Sequence, residues 1–232
     1  MTSRNGGPGT VLVTGGASGL GAAVAHAVED AGGVPVVLDR QPAQNGFAWQ
    51  QVDLADPRAA EEAVRRVADE HGGIDAVVTA AGIDACGDFH EVDGADWDRV
   101  VMVNLLGTVA VVRAALPFLE QVRGRVVTVA STLGLRVLPA ATAYCASKFG
   151  VVGFTRALAT EAGDRIGVTM LVPGGMRTSF FDGRPENFKP APDQNLNRPE
   201  DVAASVIFAL TRPPGVELRE LVVTPSSEPS WP

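Results

Sequence analysis

The stretch Thr10-Val11-Leu12-Val13-Thr14-Gly15-Gly16-Ala17-Ser18-Gly19-Leu20-Gly21 decides the fold. Its first five residues are a short, largely β-branched run, as in a strand buried on both faces. Glycines then crowd a turn, and Ala22 to Ala31 carries a helical pattern. Strand, glycine turn and helix in that order make a phosphate site. Amides at the helix N-terminus point at the anion, and glycines let it come close. The context is that of a dinucleotide site, with Gly15, Ser18, Gly19, Leu20 and Gly21 as expected contacts, although the spacing is G-x-x-x-G-x-G and not the more widespread G-x-G-x-x-G.

Outward from this unit, strand-like and helix-like segments alternate. Apolar runs recur at Val34 to Leu38, Phe47 to Val52 (weaker), Ile74 to Thr79, Arg125 to Ala130, Val168 to Val172 and Leu221 to Val223. Helical patterns fill the gaps. Asp56 is a good N-cap and Pro57 a good first helical residue. Ala60, Ala63, Val64, Val67 and Ala68 then form an apolar stripe that Gly72-Gly73 stops. The expected architecture is α/β: a doubly wound parallel sheet of about seven strands with helices on both faces. One domain is expected over residues 10–224, with a flexible N-terminus over 1–9 and a loose tail over 225–232. Residues 173–199 are rich in Pro, Asn and Gly and carry three Phe, which reads as a lid over a substrate.

Asp39 ends the second strand run. A carboxylate there holds the ribose hydroxyls of NAD and repels a 2′-phosphate, whereas Arg40 beside it attracts one. NAD is favoured over NADP. Further along stand Tyr144 and Lys148, and Tyr144 is the only tyrosine in the chain. One helical turn separates them, so ammonium and phenol share a face. A cation held there lowers a pKa that starts near ~10, so the phenol becomes an acid/base near neutral pH.

The net charge of −8 argues against a nucleic-acid or anionic-membrane partner, and no apolar run is long enough to suggest a spanning helix. The first residues lack the apolar core of a signal peptide, and two cysteines, Cys86 and Cys145, do not make a disulfide framework. Both are read as buried small hydrophobes in a cytoplasmic protein. His26, His71 and His90 match no motif and are read as surface residues.

Taken together, the glycine turn, Asp53-Leu54, Thr79-Ala80-Ala81-Gly82, Asn104, Ser131, Tyr144/Lys148 and Pro173-Gly174 resemble the ordered motifs of the short-chain dehydrogenases/reductases, over about Val11 to Val223. The resemblance implies a Rossmann-like fold and an NAD(P)-dependent oxidoreductase interconverting a secondary alcohol and a ketone. By that resemblance, Tyr144 is the general acid/base. Lys148 lowers its pKa and binds the nicotinamide ribose, Ser131 hydrogen-bonds the substrate oxygen, and Asn104 kinks its helix and holds a water. Asp53 and Leu54 flank the adenine. Ala80, Ala81 and Gly82 line the adenosine ribose, while Pro173, Gly174, Met176 and Thr178 dock the nicotinamide carboxamide. Thr79 departs from the family's usual Asn, and its hydroxyl is expected to replace one of the amide's hydrogen bonds.

Met176, Phe180, Phe181 and Phe188 in the lid, with Leu133 and Leu135, point to an apolar small-molecule alcohol or ketone. Small residues on a second face of the Tyr144 helix (Ala146, Gly150, Gly153, Ala157) admit a close-packed helix, either from the same chain or from a second copy in a tetramer or dimer. Two other functions remain open at this level: a non-catalytic nucleotide sensor, and an epimerase or dehydratase using a bound cofactor.

Overall fold

The computed structural model describes residues 7–43 and 46–231. Of the N-terminus expected to be flexible, residues 1–6 lie outside the described residues. Gly7 and Pro8 are buried, and the Gly9 carbonyl accepts from the Val34 amide at 2.9 Å. Pro232 of the expected tail also lies outside.

Seven strands form one sheet: β1 (Thr10–Thr14), β2 (Val34–Asp39), β3 (Ala48–Gln51), β4 (Ala76–Thr79), β5 (Arg125–Val129), β6 (Gly167–Pro173) and β7 (Glu220–Val223). Their order is β3-β2-β1-β4-β5-β6-β7, and every pairing is parallel. Parallel pairing carries the connections across the faces of the sheet, and among the described residues six helices fill all of them except the one from β2 to β3. They are α1 (Gly19–Asp30), α2 (Pro57–His71), α3 (Gly94–Val101), α4 (Thr108–Val122), α5 (Thr142–Ala162) and α6 (Pro199–Leu210).

Alternate strand residues supply the two faces. Leu12, Leu38, Val77, Val126 and Val168 pack with α2, α4 and the end of α5. Val11, Val13, Val78, Val127 and Leu171 pack with α1 and α6. This is the doubly wound sheet expected from the buried apolar runs. α2 forms as its sequence predicts: the Asp56 carboxylate accepts from the Arg58 and Ala59 amides, Gly72 closes the helix in the left-handed region, and the whole apolar stripe is buried.

The helical path Gly94–Val122 is continuous through α3, a π-helical turn over Met102–Gly107, and α4. It corrects the expectation that nothing here reaches the length and apolarity of a membrane span: its best window has a mean hydropathy of 1.8. More than half of that window is buried, and the path packs against α2 and α5, as a core helix does.

With all strands parallel, every loop leaving a strand's C-terminal end lies on one edge of the sheet. The strand order reverses between β1 and β4, and a crevice opens there.

Candidate active site

One cleft of about 860 Å³ runs along that edge. It is bordered by every site residue expected from the sequence except Asn104, which lies behind it.

At one end sits the glycine turn. Gly15 has φ +71°, and a Cβ there would lie 2.7 Å from the Ala81 Cα. A Cβ on Gly21 would collide with the Gly15 carbonyl oxygen, so the turn and the start of α1 pack backbone to backbone. The Asp39 carboxylate accepts from the Ala17 amide (3.0 Å) and the Gln41 amide (3.0 Å), tying the end of β2 to the turn. Arg40 is exposed beside it. Asp53 pairs with Arg99 at 2.7 Å and accepts from the Ala55 amide. Partial burial pushes the Asp53 carboxyl up. The Arg99 hydrogen bond, the Ala55 amide and the charges of Arg99 and Arg40 outweigh it and hold the group below its ordinary range.

The middle of the cleft is made by Ala80, Ala81 and Gly82. The Ala81 amide donates to the Thr14 hydroxyl at 3.1 Å. Thr79 corrects an expectation: its Oγ1 is buried and has no hydrogen-bond partner among the described residues, so it replaces none of an asparagine's bonds.

At the other end stand Ser131, Tyr144 and Lys148. Ser131 follows β5, and its Oγ accepts from the Leu133 amide. Tyr144 is half-buried in the first turn of α5, and the Ser131 hydroxyl beside its own favours the phenolate. Lys148 is 3% exposed; its Nζ donates to the Val129 carbonyl at 2.8 Å and lies 5.6 Å from the centre of the Tyr144 ring. Burial holds Lys148 down to about 8. Burial also leads at Tyr144 and pushes its phenol up to about 12, against the downward pull of Ser131. The expectation that Lys148 makes this phenol acidic is not met: desolvation leads at Tyr144, and the Lys148 ammonium is turned to a backbone carbonyl.

Asn104 sits in the π-helical turn and is fully buried. Its side chain grips the loop after β4, accepting from the Ile83 amide (2.8 Å) and donating to the Ile83 carbonyl (2.9 Å). It also donates to Ser147 Oγ at 3.0 Å. A Cβ on Gly82 would lie 3.7 Å from both the Asn104 Oδ1 and the Lys148 Nζ, so that glycine faces the gap between them.

The expected lid is anchored at its base, where Met176 bridges to Asn197. Thr178 faces Gly19 across the cleft. Met176, Phe180, Phe181, Phe188 and Leu133 border the cleft; Leu135 instead packs beside Ala130 and Val151.

Several residues here escaped the sequence reading. Arg99 and Asp84 come from α3 and the loop after β4, Arg184 from the lid. The segment expected as a loose tail folds in as well: the Glu228 carboxylate accepts from the Gly175 amide at 2.8 Å, and the Ser230 and Thr132 hydroxyls are 2.7 Å apart. Cys86 is half-buried and donates to Asp84 Oδ2 at 2.9 Å. Burial leads in pushing its thiol up to about 12, and Asp84 adds to the shift. The His26 ring packs edge-on to Phe47.

The family model for short chain dehydrogenase matches residues 9–188. D-threitol dehydrogenase of Mycolicibacterium smegmatis is 34% identical over 220 residues, covering 85% of this chain and 84% of that one. An uncharacterized oxidoreductase of Staphylococcus aureus is 30% identical over 226 residues, covering 92% and 96%. A short chain dehydrogenase from Burkholderia cenocepacia, solved in complex with NADP, superposes with a TM-score of 0.82 at 29% identity, covering 95% of this chain and 98% of its own. The glycine turn, the parallel sheet and the Tyr144 end of the cleft thus sit on a chain that belongs to the short-chain dehydrogenase/reductase family of oxidoreductases.

Proposed function

We propose that this protein interconverts a secondary alcohol and a ketone with a nicotinamide cofactor, with Tyr144 as the general acid/base. One observation carries the reading: Ser131, Tyr144 and Lys148 converge at one end of a cleft whose other end is the glycine turn. The cleft fits a dinucleotide. Gly15 and Gly21 leave backbone where a Cβ would stand, and α1 opens its N-terminus toward the cleft.

When bound, the nicotinamide supplies or accepts the hydride. Gly15, Ser18, Gly19, Leu20 and Gly21 would hold the pyrophosphate. Asp39 would hold the adenosine ribose, Asp53 and Leu54 the adenine, and Ala80, Ala81 and Gly82 the wall between. Pro173, Gly174, Met176 and Thr178 would take the carboxamide. Lys148 would bind the second ribose.

Tyr144 gives a proton to the carbonyl oxygen in reduction and takes it from the carbinol in oxidation. Burial keeps the phenol protonated at neutral pH, the form reduction requires. Ser131 donates to the same substrate oxygen and stabilises its developing charge. Asn104 fixes the loop after β4 and widens its helix beside Lys148, which supports a water-borne proton path.

NAD is the favoured cofactor, because Asp39 sets a negative charge where a 2′-phosphate would sit. The substrate is a neutral, largely apolar alcohol or ketone. Leu133, Leu138, Met176 and the three lid phenylalanines surround its end of the cleft, and the charges there are mutually engaged: Asp84 with Arg184, Lys189 with Glu186, Glu228 with the Gly175 amide. The relative named D-threitol dehydrogenase supports a hydroxyl-bearing substrate. Exposed Ala146, Gly153 and Ala157 on α5, with the half-exposed Phe149, support a homo-oligomer; Gly150 instead packs on Leu105 of the same chain. Two free thiols suit a reducing, cytoplasmic compartment.

The deciding experiment is Tyr144→Phe, assayed with a panel of neutral alcohols and ketones and both cofactors. Turnover is expected to fall by about 10²–10⁴-fold or more while NADH still binds. A variant as active as the parent would end this reading.

A further inference from the structure

The lid is pinned to the body of the protein by a buried ion pair. Arg184, from the lid, donates through Nη2 to Asp84 Oδ2 at 2.6 Å; the side chains are 17% and 5% exposed. Asp84 belongs to the loop after β4, so the pair spans the cleft from one wall to the other. The same guanidinium lies 5.0 Å from the Phe180 ring centre and 4.6 Å from that of Phe181, and it donates through Nη1 to the Phe188 carbonyl. Its Nε is buried without a partner among the described residues. Phe180 in turn stacks at 5.5 Å, tilted, on the Tyr144 ring. A continuous line of contacts therefore runs from Asp84 through Arg184 and Phe180 to the phenol.

We propose that Asp84 and Arg184 are a positioning pair: their ion pair latches the lid through Phe180 onto Tyr144 and keeps two opposite charges together on the phenol's side of the cleft. The proposal rests on the reading of Tyr144 as the reacting acid/base, but its test does not require turnover. An exposed pair of this kind would be worth little. This one is buried, so removing either partner strands a charge beside Tyr144 and releases the lid at once.

The groups that face the phenol are few. Asp84, from the loop after β4, raises its pKa, as does Cys145 from α5. Arg184, from the lid, lowers it, and the Ser131 hydroxyl, from the loop after β5, lowers it by hydrogen bonding. Lys148, on α5, is engaged with the Val129 carbonyl. Asp84 and Arg184 are the opposed charged pair in this set, and neither is assigned to the chemistry.

Because Tyr144 is the sole tyrosine, the near-ultraviolet absorbance of phenolate reports it alone. The full-length protein and the variants Asp84→Asn, Arg184→Gln and the double variant would be compared at pH about 11, with circular dichroism verifying the fold. Removing a charge near the phenol shifts its titration by roughly half a unit to one unit. The phenolate fraction should therefore rise about threefold or more in Asp84→Asn and fall about threefold or more in Arg184→Gln. It should return near the parent value in the double variant. Hydrogen exchange at neutral pH should show Ser179–Phe188 losing protection in all three.

Shifts of the same sign in the two single variants, or no shift in either, would overturn the proposal. Should a single variant not fold, the double variant decides, since it leaves no stranded charge. Lost lid protection with a parent-like phenolate fraction supports the latch; parent-like protection overturns it. Neither result bears on whether Tyr144→Phe retains turnover, so the two readings fail separately.

Discussion

Lys148→Met should make this protein more stable and less active. Lys148 is 3% exposed, and burial alone holds its ammonium down from 10.5 to about 8. At neutral pH the folded protein therefore carries a charge that costs about 3 kcal/mol relative to the unfolded chain, at ~1.36 kcal/mol per unit. Methionine keeps most of the stem's packing and removes the charge. It also removes the hydrogen bond to the Val129 carbonyl, a loss of about 1 kcal/mol. The net gain is about 2 kcal/mol, or roughly 4–8 °C in Tm for a chain of this size. The sign follows from linkage. A folded-state pKa below the unfolded one contributes stability that is present above about 10.5 and lost as pH falls through about 8. The advantage of Lys148→Met is thus full at pH 7, shrinks from about pH 8 upward and by about 10.5 has turned into a deficit of about 1 kcal/mol, the lost hydrogen bond alone. Thermal unfolding of both proteins across that range is the assay. A variant less stable than the parent at pH 7, or a gain that does not shrink as pH rises, would refute the reasoning.

Four further outcomes follow from the cleft. Gly15→Ala is expected to cost about 2–4 kcal/mol, from a left-handed φ and a Cβ pressed on the Ala81 backbone. Gly19→Ala, at φ +54° with nothing nearer than 3.5 Å, carries the strained φ without the clash and should cost about 1–2 kcal/mol; a loss equal to that of Gly15→Ala in urea unfolding would contradict this. Thr79→Val removes a buried hydroxyl that has no partner and should stabilise the fold by about 1 kcal/mol, checked by the same unfolding series. Asp39→Asn keeps one oxygen acceptor for the turn but drops the charge. Fluorescence titration should show the affinity ratio of NADPH to NADH rising about tenfold, and an unchanged ratio would remove Asp39 as the discriminator.

What the sequence disclosed and what it hid divide along a physical line. The strands declared themselves because β1, β4, β5 and β6 are buried on both faces and so are written as unbroken apolar runs. The glycine turn was legible because Gly15 and Gly21 answer to backbone contacts within one strand–helix unit. Tyr144 and Lys148 were legible as a pair one turn apart on α5. Their electrostatics were not, because spacing gives a shared face but not the burial that raises one pKa and lowers the other. Leu133 and Leu135 show the same limit at short range: two leucines in one turn, of which one borders the cleft and the other enters the core.

The contacts that close the cleft are long-range by construction. Asp84 and Arg184 are 100 residues apart, Gly175 and Glu228 are 53 apart, and Asp53 and Arg99 are 46 apart. No periodicity links residues at such distances. What brings them together is the strand order. With β4, β5, β6 and β7 side by side and parallel, the loops after all four emerge on the same edge, and the loop carrying Ser131 is flanked by those carrying Asp84 and Arg184. A lid that follows β6 can reach across the end of β5 only toward the loop after β4. A segment that follows β7 can fall only onto the loops after β6 and β5, where Glu228 meets Gly175 and Ser230 meets Thr132. Once the sheet is known to be parallel in that order, the chemistry-bearing residues to inspect are those just beyond each strand's C-terminal end. By that rule Asp84, an acidic residue five positions beyond Thr79, becomes a site residue on topology alone.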